Sequence, residues 1–216
     1  MSAILAAIPE LRFRIRDAGV LKGAAAPTVV VRLEVERTAG APVRSATVGV
    51  RADIAPARRA YDADTEARLV ELFGPPEGWG TTLRGIGWAR TTVLVGPFDE
   101  RTTVEVPLPA TYDFDVAAAK YLHALRDGEI PVELQFSGSV LYETDGRIQA
   151  APIPWDREAA GRIPVAVWRE AMAAAFGDTA WLRLHRDAFD RLYAFRAARG
   201  HASWEAAIEE LLAWTR

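Results

Sequence analysis

A long stretch of alternating apolar and polar side chains constrains the fold of this chain more than any other feature. Its apolar or small members are Val132, Leu134, Phe136, Gly138, Val140 and Tyr142. A period of two residues places alternate side chains on opposite faces of a β-strand. The Asp145-Gly146 pair that follows is favoured in tight hairpin turns. The pattern therefore predicts an antiparallel strand with one buried and one wet face, and a returning arm through Ile148.

A short amphipathic helix is predicted immediately before this strand. Four apolar side chains have the spacing of one helix face: Ala118, Tyr121, Leu122 and Leu125. Asp113 and Asp115 precede that face and are suited to the helix N-terminus, whereas Asp127-Gly128 provides a stop. We expect Leu122 and Leu125 to be buried between this helix and the sheet.

Further alternating stretches predict five more strands, with centres in the ranges 11–15, 29–35, 46–54, 88–95 and 102–108. Another helix is predicted between Asp62 and Phe73. From Pro152 onward the pattern becomes helical, with helices ending at Gly177 and Gly200 and a third capped by Ser203. We therefore predict an α+β fold. Residues 1–158 form an antiparallel β-sandwich of about seven strands with two inserted helices, and residues 159–216 form a C-terminal helical segment packed on it.

The composition excludes several classes of function. The chain has no cysteine, which rules out disulfides, iron–sulfur clusters and thiolate zinc sites. Its three histidines have no ligand spacing, so we expect neither a metal nor another cofactor. The net charge of −3 argues against a nucleic-acid partner. There is no apolar run long enough for a bilayer, and the N-terminal residues lack the features of a signal peptide, so we expect a cytoplasmic protein without membrane insertion.

Polar residues that could carry chemistry have simpler structural explanations. Lys120 and His123 lie on one side of the helix that precedes the long strand, where His123 could be a general base, a contact that responds to pH, or a half-buried structural residue. We keep both residues as candidates for partner binding. None of the serines lies in a nucleophile elbow, and the Gly-rich segment 78–87 lacks the frame of a phosphate loop. The sequence predicts no catalytic residue and no enzymatic activity.

Tryptophan and arginine give the best candidates for a binding surface. The apolar stripes contain Trp88, Trp168 and Trp204, which we expect in the core, whereas Trp79, Trp155 and Trp181 lie in loops or at the ends of elements. Two Trp/Arg pairs stand at transitions between elements and are predicted to bind a partner: Trp155 with Arg157, and Trp181 with Arg183. Tryptophan and arginine are enriched at interface hot spots. Docking of the helical segment onto the sandwich is the alternative role for these tryptophans.

Four segments resemble one uncharacterised bacterial family, a domain of unknown function. They are FGPPEGWGTTL, TYDFDVAAAKYLHALRDGEIPVELQFSG, IPWDREA, and VWREAM followed by WLRLHRDAFDRL. The likeness extends over nearly the whole chain. Members of that family occur mainly in actinobacteria, near genes for NiFe uptake hydrogenases. The resemblance implies an accessory, assembly or scaffold role and supplies no catalytic residues.

Two classes of function follow from these observations. The first is a non-enzymatic accessory, assembly or scaffold protein with a protein partner, such as a subunit of a NiFe hydrogenase complex. The second is a β-sandwich of the chaperone type that binds a small ligand or a peptide. A faint similarity to the export chaperone SecB, in the order of Gly, Pro and Leu between Leu125 and Leu134, belongs with the second. The sequence does not determine the oligomeric state.

Overall fold

The computed structural model describes residues 8–110, 116–177 and 184–214. The chain divides into two compact units, Met1–Gly177 and Asp178–Arg216. The first unit contains all eight strands found among the described residues, and the second contains two helices.

The strands of the first unit pair in antiparallel fashion throughout. Their bounds are β1 (Glu10–Val20), β2 (Thr28–Ala39), β3 (Val43–Ile54), β4 (Ile86–Val95), β5 (Arg101–Pro109), β6 (Glu129–Thr144), β7 (Arg147–Pro152) and β8 (Glu158–Pro164).

The strands form two sheets that enclose one hydrophobic core. The first sheet has the order β1-β2-β5, and the second has the order β4-β3-β6-β7, with β8 also paired to β6. Strand β6 is long enough for both neighbours on one side: its first half pairs with β8 and its last residues pair with β7. The predicted α+β fold with antiparallel strands is confirmed. Strand β5 lies at an edge of the three-stranded sheet, a position that tolerates its prolines Pro107 and Pro109.

Among the described residues, four helices belong to the first unit and two to the second. They are α1 (Ala63–Phe73), α2 (Trp79–Thr82), α3 (Val116–Ala124), α4 (Val165–Phe176), α5 (Arg186–Arg199) and α6 (Trp204–Ala213). Short 3-10 turns at Pro56–Arg58 and Pro76–Gly78 flank α1. Asp62 caps α1 by accepting a hydrogen bond from the backbone N–H of Thr65 at 2.7 Å. This bond lowers the pKa of Asp62.

Helices close one end of the sandwich. Strands β1, β3, β5 and β8 end there and β2, β4 and β6 begin there, because neighbouring strands run in opposite directions. The helical side chains that join the core of the sheets at this end are Leu69, Phe73, Trp79, Ala118, Tyr121, Leu122, Trp168 and Ala171. Leu122 and the following Leu125 are buried, which confirms the predicted orientation of α3. Asp113 and Asp115, predicted at the start of this helix, lie outside the described residues.

Aromatic side chains and two hydroxyl groups organise this helical end. The hydroxyl of Tyr61 donates a hydrogen bond to the carbonyl of Pro56 at 2.8 Å, and its oxygen lies 2.8 Å from the hydroxyl oxygen of Tyr121. Burial raises the pKa of both phenols. The ring of Trp79 packs edge-on against Tyr61, and its Nε1 donates to the carbonyl of Gly74 at 2.8 Å. Trp79 is therefore a buried core residue and is not the exposed loop aromatic that its Gly-rich surroundings suggested.

The segment Glu158–Pro164 differs from its sequence pattern. It forms β8, although the sequence predicted a helical character from Pro152 onward. Residues 159–161 are small, and of the inward side chains of β8 only Ile163 is large. Gly161 packs so closely against Ile15 that a Cβ atom would lie 2.7 Å from the Cδ1 of that side chain. The helix predicted to end at Gly177 is confirmed as α4, whose Trp168 packs edge-on against Trp88.

The second unit is a pair of short helices joined by a tight turn. Gly200 ends α5 in the left-handed conformation, with φ of 68°, and the side chain of Ser203 caps α6. The guanidinium of Arg196 lies 4.3 Å from the ring centroid of Trp204. Among the described residues of the two helices, only Ala207 is fully buried.

Candidate interaction surface

Trp155 stands at the tip of the turn between β7 and β8, and its side chain is 91% exposed. The backbone of this turn is held firmly. The N–H of Arg157 donates to the carbonyl of Pro154 at 3.2 Å, and the N–H of Phe136 in β6 donates to the carbonyl of Arg157 at 3.0 Å. The side chain of Ile153, two residues before Trp155, is buried and anchors the start of the turn. An exposed indole on a fixed backbone can contact a partner at little cost in conformational entropy.

Arg157 is a weaker candidate than its neighbour. Its Nε lies 3.9 Å from Oδ1 of Asp156, and its side chain is 36% exposed. The structure thus brings Trp155 and Arg157 into one turn, with the indole far more accessible than the guanidinium.

The other predicted site residues lie elsewhere. Lys120 forms an ion pair with Glu71, which joins α3 to α1 at the helical end. The side chain of His123 is exposed on the same helix. Neither residue is near the middle of β6, where the turn that carries Trp155 is attached. Trp181 and Arg183 lie outside the described residues.

The outer face of the three-stranded sheet consists of paired charges. Side chains directly opposite one another on antiparallel strands share a face. Arg12 pairs with Glu36 at 3.5 Å, Arg14 contacts Glu34 at 3.7 Å, and Arg32 contacts Asp17 at 2.7 Å. A hydrogen bond from Arg16 lowers the pKa of Glu34. This face is already occupied by its own ion pairs and has the character of a solvated surface.

The outer face of the five-stranded sheet carries ion pairs at both ends, Arg51 with Asp53 and Arg44 with Glu143, and is uncharged in the rows between them. One row across it consists of Leu94, Thr47, Ser139 and Pro152, and the next consists of Ser45, Leu141 and Ala150. The side chain of Leu94 is 78% exposed, and that of Ile148, at the margin of the face, is 69% exposed. Sequence analysis missed this surface. Leu94 and Leu141 could have indicated it, because the alternation along their strands places both leucines on the outward face.

The described residues offer little for chemistry. No group of three or more histidine, aspartate or glutamate side chains among them could hold a metal ion. Two open surface depressions, of about 240 and 330 Å³, lie beside Arg51 and Asp53 and beside Arg44 and Glu143. Both are at or below the lower end of the size range of ligand pockets. No described helix has the length and apolar character needed to cross a membrane.

These features define an α+β protein built on a two-sheet antiparallel sandwich with a helical cap and an exposed aromatic turn. The chain belongs to a family of unknown function, DUF6084, whose model matches residues 8–216. No protein with a curated description matches the sequence significantly.

Solved structures give only distant likenesses. IrmA from Escherichia coli has 8% identity and a TM-score of 0.34, and the match covers 82% of this chain and 99% of that one. The CARDB domain of a Pyrococcus furiosus protein, solved in complex with di-metal ions, has 12% identity and a TM-score of 0.29 over 73% of this chain and 93% of that one. A β-glucosidase from Kluyveromyces marxianus has 11% identity and a TM-score of 0.25 over 72% of this chain and 15% of that one. These likenesses carry no functional argument.

Proposed function

We propose that this chain is a non-enzymatic accessory, assembly or scaffold protein that works in the cytoplasm by binding another protein. The observation that supports the proposal most is the 91% exposure of Trp155 on a turn whose backbone is hydrogen-bonded to β6. An exposed indole offers a large, rigid contact area, and tryptophan is among the residue types most enriched at interface hot spots.

The surroundings of Trp155 favour a protein partner. The adjacent face presents hydroxyl groups, small side chains and the exposed Leu94 and Leu141, a mixture that suits protein contact. The opposite face, with its ladder of ion pairs, would lose hydration without gaining new partners for its charges. The partner therefore binds on the Trp155 side.

The identity of the partner as a NiFe hydrogenase complex comes from the sequence resemblance and not from the geometry. The test is co-purification of the tagged full-length chain from its native host. We expect hydrogenase subunits to be recovered with the wild-type chain and lost with the double variant Trp155→Ala and Arg157→Ala. Because Trp155 is exposed, its truncation should change the free energy of unfolding by less than about 0.5 kcal/mol, and the melting temperature of the double variant verifies that loss of the partly buried Arg157 leaves the chain folded.

A matched control comes from the helical end of the same unit. The double variant Lys120→Ala and His123→Ala removes the other two described candidates for partner binding, which lie on α3 at the helical end. We expect it to retain the partner, and loss of the partner would place the interface at the helical end. Retention of the partner by the Trp155 variant would contradict the proposed surface. Recovery of a partner other than hydrogenase subunits would contradict the hydrogenase assignment and leave the accessory role.

A sandwich of the chaperone type that binds peptides is the second candidate. The observation that favours it is the outer edge of β7, which pairs with no strand in the part of the chain that the structure describes and lies beside the turn of Trp155. The two candidates differ in their partners: a chaperone binds many unrelated extended chains, whereas an accessory protein retains one defined complex.

A further inference from the structure

Strand β7 is the edge strand that the rest of the described sandwich leaves open. At two corners the edge strands of the two sheets lie against each other, β4 against β5 and β1 against β8. Within the described parts of the chain, β7 pairs with β6 alone. Edge strands present a row of backbone donors and acceptors that template the addition of another strand.

The backbone hydrogen bonds show which groups face outward. The N–H of Ile153 donates to the carbonyl of Gly138 at 2.9 Å, which fixes residue 153 as bonded toward β6. Since bonding alternates along an antiparallel strand, residues 147, 149 and 151 also bond toward β6. The N–H and C=O groups of Ile148 and Ala150 therefore point away from the sheet.

The flanking residues define the length of this open edge. Arg147 begins β7, and Pro152 ends it with a carbonyl but no N–H. Between them two donors are available, and the side chains of Ile148 and Ala150 lie on the outer face. Trp155 follows three residues after the strand.

We propose that β7 binds an extended segment of a partner protein by strand addition, with apolar side chains of that segment beside Ile148. The inference rests on the proposed function and names the chemistry of its partner. The outward groups of Ile148 and Ala150 are complementary to the backbone of a β-strand. The segment gains contact with Trp155 where it continues past Pro152.

The size of the edge argues against a second copy of this chain as the occupant. Strand β7 has six residues. Pairing of two such strands buries much less than the roughly 1,200 Å² that a stable interface needs. A partner segment longer than β7 adds contacts on the turn of Trp155.

The experiment compares two variants at one position. Ala150→Pro removes an outward N–H, whereas Ala150→Thr keeps it and adds a side chain suited to strands. A phage library of random linear dodecapeptides is selected on the full-length chain, and enriched peptides are measured by fluorescence polarisation. We expect alternating apolar residues in the peptides, an affinity at least about tenfold weaker for Ala150→Pro, and one within about twofold for Ala150→Thr.

Amide exchange measured by NMR tests the geometry directly. In the free chain, the amides of Ile148 and Ala150 should exchange rapidly and those of Gln149 and Ala151 slowly; bound peptide should protect the first pair. Slow exchange at Gln149 and Ala151 in Ala150→Pro verifies that β7 is intact. If β7 is disrupted in Ala150→Pro, the same comparison is made at position 148, with Ile148→Pro as the variant and Ile148→Thr as its control.

Several results would overturn the inference. The first is the absence of enriched peptides, and the second is a peptide affinity of Ala150→Pro equal to that of the wild type. The third is amide protection of Ile148 that rises with protein concentration in the absence of peptide, which would make a second copy of the chain the occupant. Failure of the proposed function is a separate result, since it appears as no partner in the co-purification. If the Trp155 variant loses the partner and Ala150→Pro retains it, strand addition is wrong and the accessory role stands.

Discussion

The hydroxyl oxygens of Tyr61 and Tyr121 lie 2.8 Å apart, and this contact joins the segment before α1 to the buried face of α3. The carbonyl of Pro56 can only accept, so Tyr61 donates its single proton to that group. Tyr121 is therefore the donor to the oxygen of Tyr61. The two hydroxyls form a directed chain from α3 to the 3-10 turn at Pro56.

Removal of the two hydroxyls should have unequal effects. Tyr121→Phe removes one donor and should lower the free energy of unfolding by about 0.5–1.5 kcal/mol. Tyr61→Phe leaves the buried hydroxyl of Tyr121 without its acceptor and should cost about 1–3 kcal/mol. Urea denaturation of both variants and of the double variant measures the difference. Equal costs would contradict the direction of the hydrogen bonds.

The same phenols predict a loss of stability at alkaline pH. Burial raises the pKa of Tyr61 and Tyr121 in the folded chain above the value of about 10 for an exposed tyrosine. Above pH 10 the unfolded chain loses these protons while the folded chain keeps them, so the free energy of unfolding falls as pH rises past that value. Denaturation at a series of pH values should show a shallower fall for Tyr61→Phe than for the wild type. A parallel fall would assign the effect to other groups.

Leu122 is buried on α3, and Leu122→Ala should lower the free energy of unfolding by about 2–5 kcal/mol. The neighbouring His123 is exposed on the same helix, so His123→Ala is a matched control with an expected change below about 0.5 kcal/mol. Chemical denaturation of the two variants makes the comparison. A small effect of Leu122→Ala would show that α3 contributes little to the core.

Gly138 in β6 adopts φ of +125°, and a Cβ atom there would lie 2.0 Å from the carbonyl oxygen of Thr47. Gly138→Ala should therefore cost at least about 2 kcal/mol, from backbone strain and displacement of β3. Gly19→Ala is the control, because no atom lies within 4 Å of its added Cβ and its backbone is not in the left-handed region. Thermal unfolding of both variants should show a lower Tm for Gly138→Ala alone.

The second unit should not fold in isolation. Its described helices have 14 and 10 residues and bury only Ala207 completely, which is too little to offset the entropy of ordering them. A peptide of residues 178–216 should have a largely unfolded far-UV circular dichroism spectrum. A helical spectrum with cooperative melting would show independent folding. The predicted packing of this helical segment on the sandwich stays a prediction.

The sequence predicted elements whose side chains alternate strongly and missed those built from small residues. Val132 to Tyr142 was predicted as a strand because large apolar residues mark one face. Segment 158–164 was not, because Ile163 is its only large apolar residue and Ala159, Ala160 and Gly161 mark neither face. Its pairing with the first half of β6 also depends on contacts between residues distant in sequence. Trp79 illustrates a second limit, since its Gly-rich neighbours indicated a loop although tertiary packing buries the ring.

The two parts of the candidate surface, the turn of Trp155 and the edge of β7, also differ in whether the sequence predicts them. The exposure of Trp155 followed from its position between elements, a local property. The open edge of β7 depends on the order of strands in the sheet, which long-range pairing decides and which alternation in the sequence does not encode.

The placement of strand ends has a practical consequence for attaching this protein to surfaces. Lys22 and Lys120 are the lysines of the chain. Lys22 lies in the turn between β1 and β2, and Lys120 lies on α3, so both belong to the helical end of the sandwich. A dye or a biosensor matrix attached through either lysine side chain is therefore held at that end, away from the turn of Trp155 and the edge of β7.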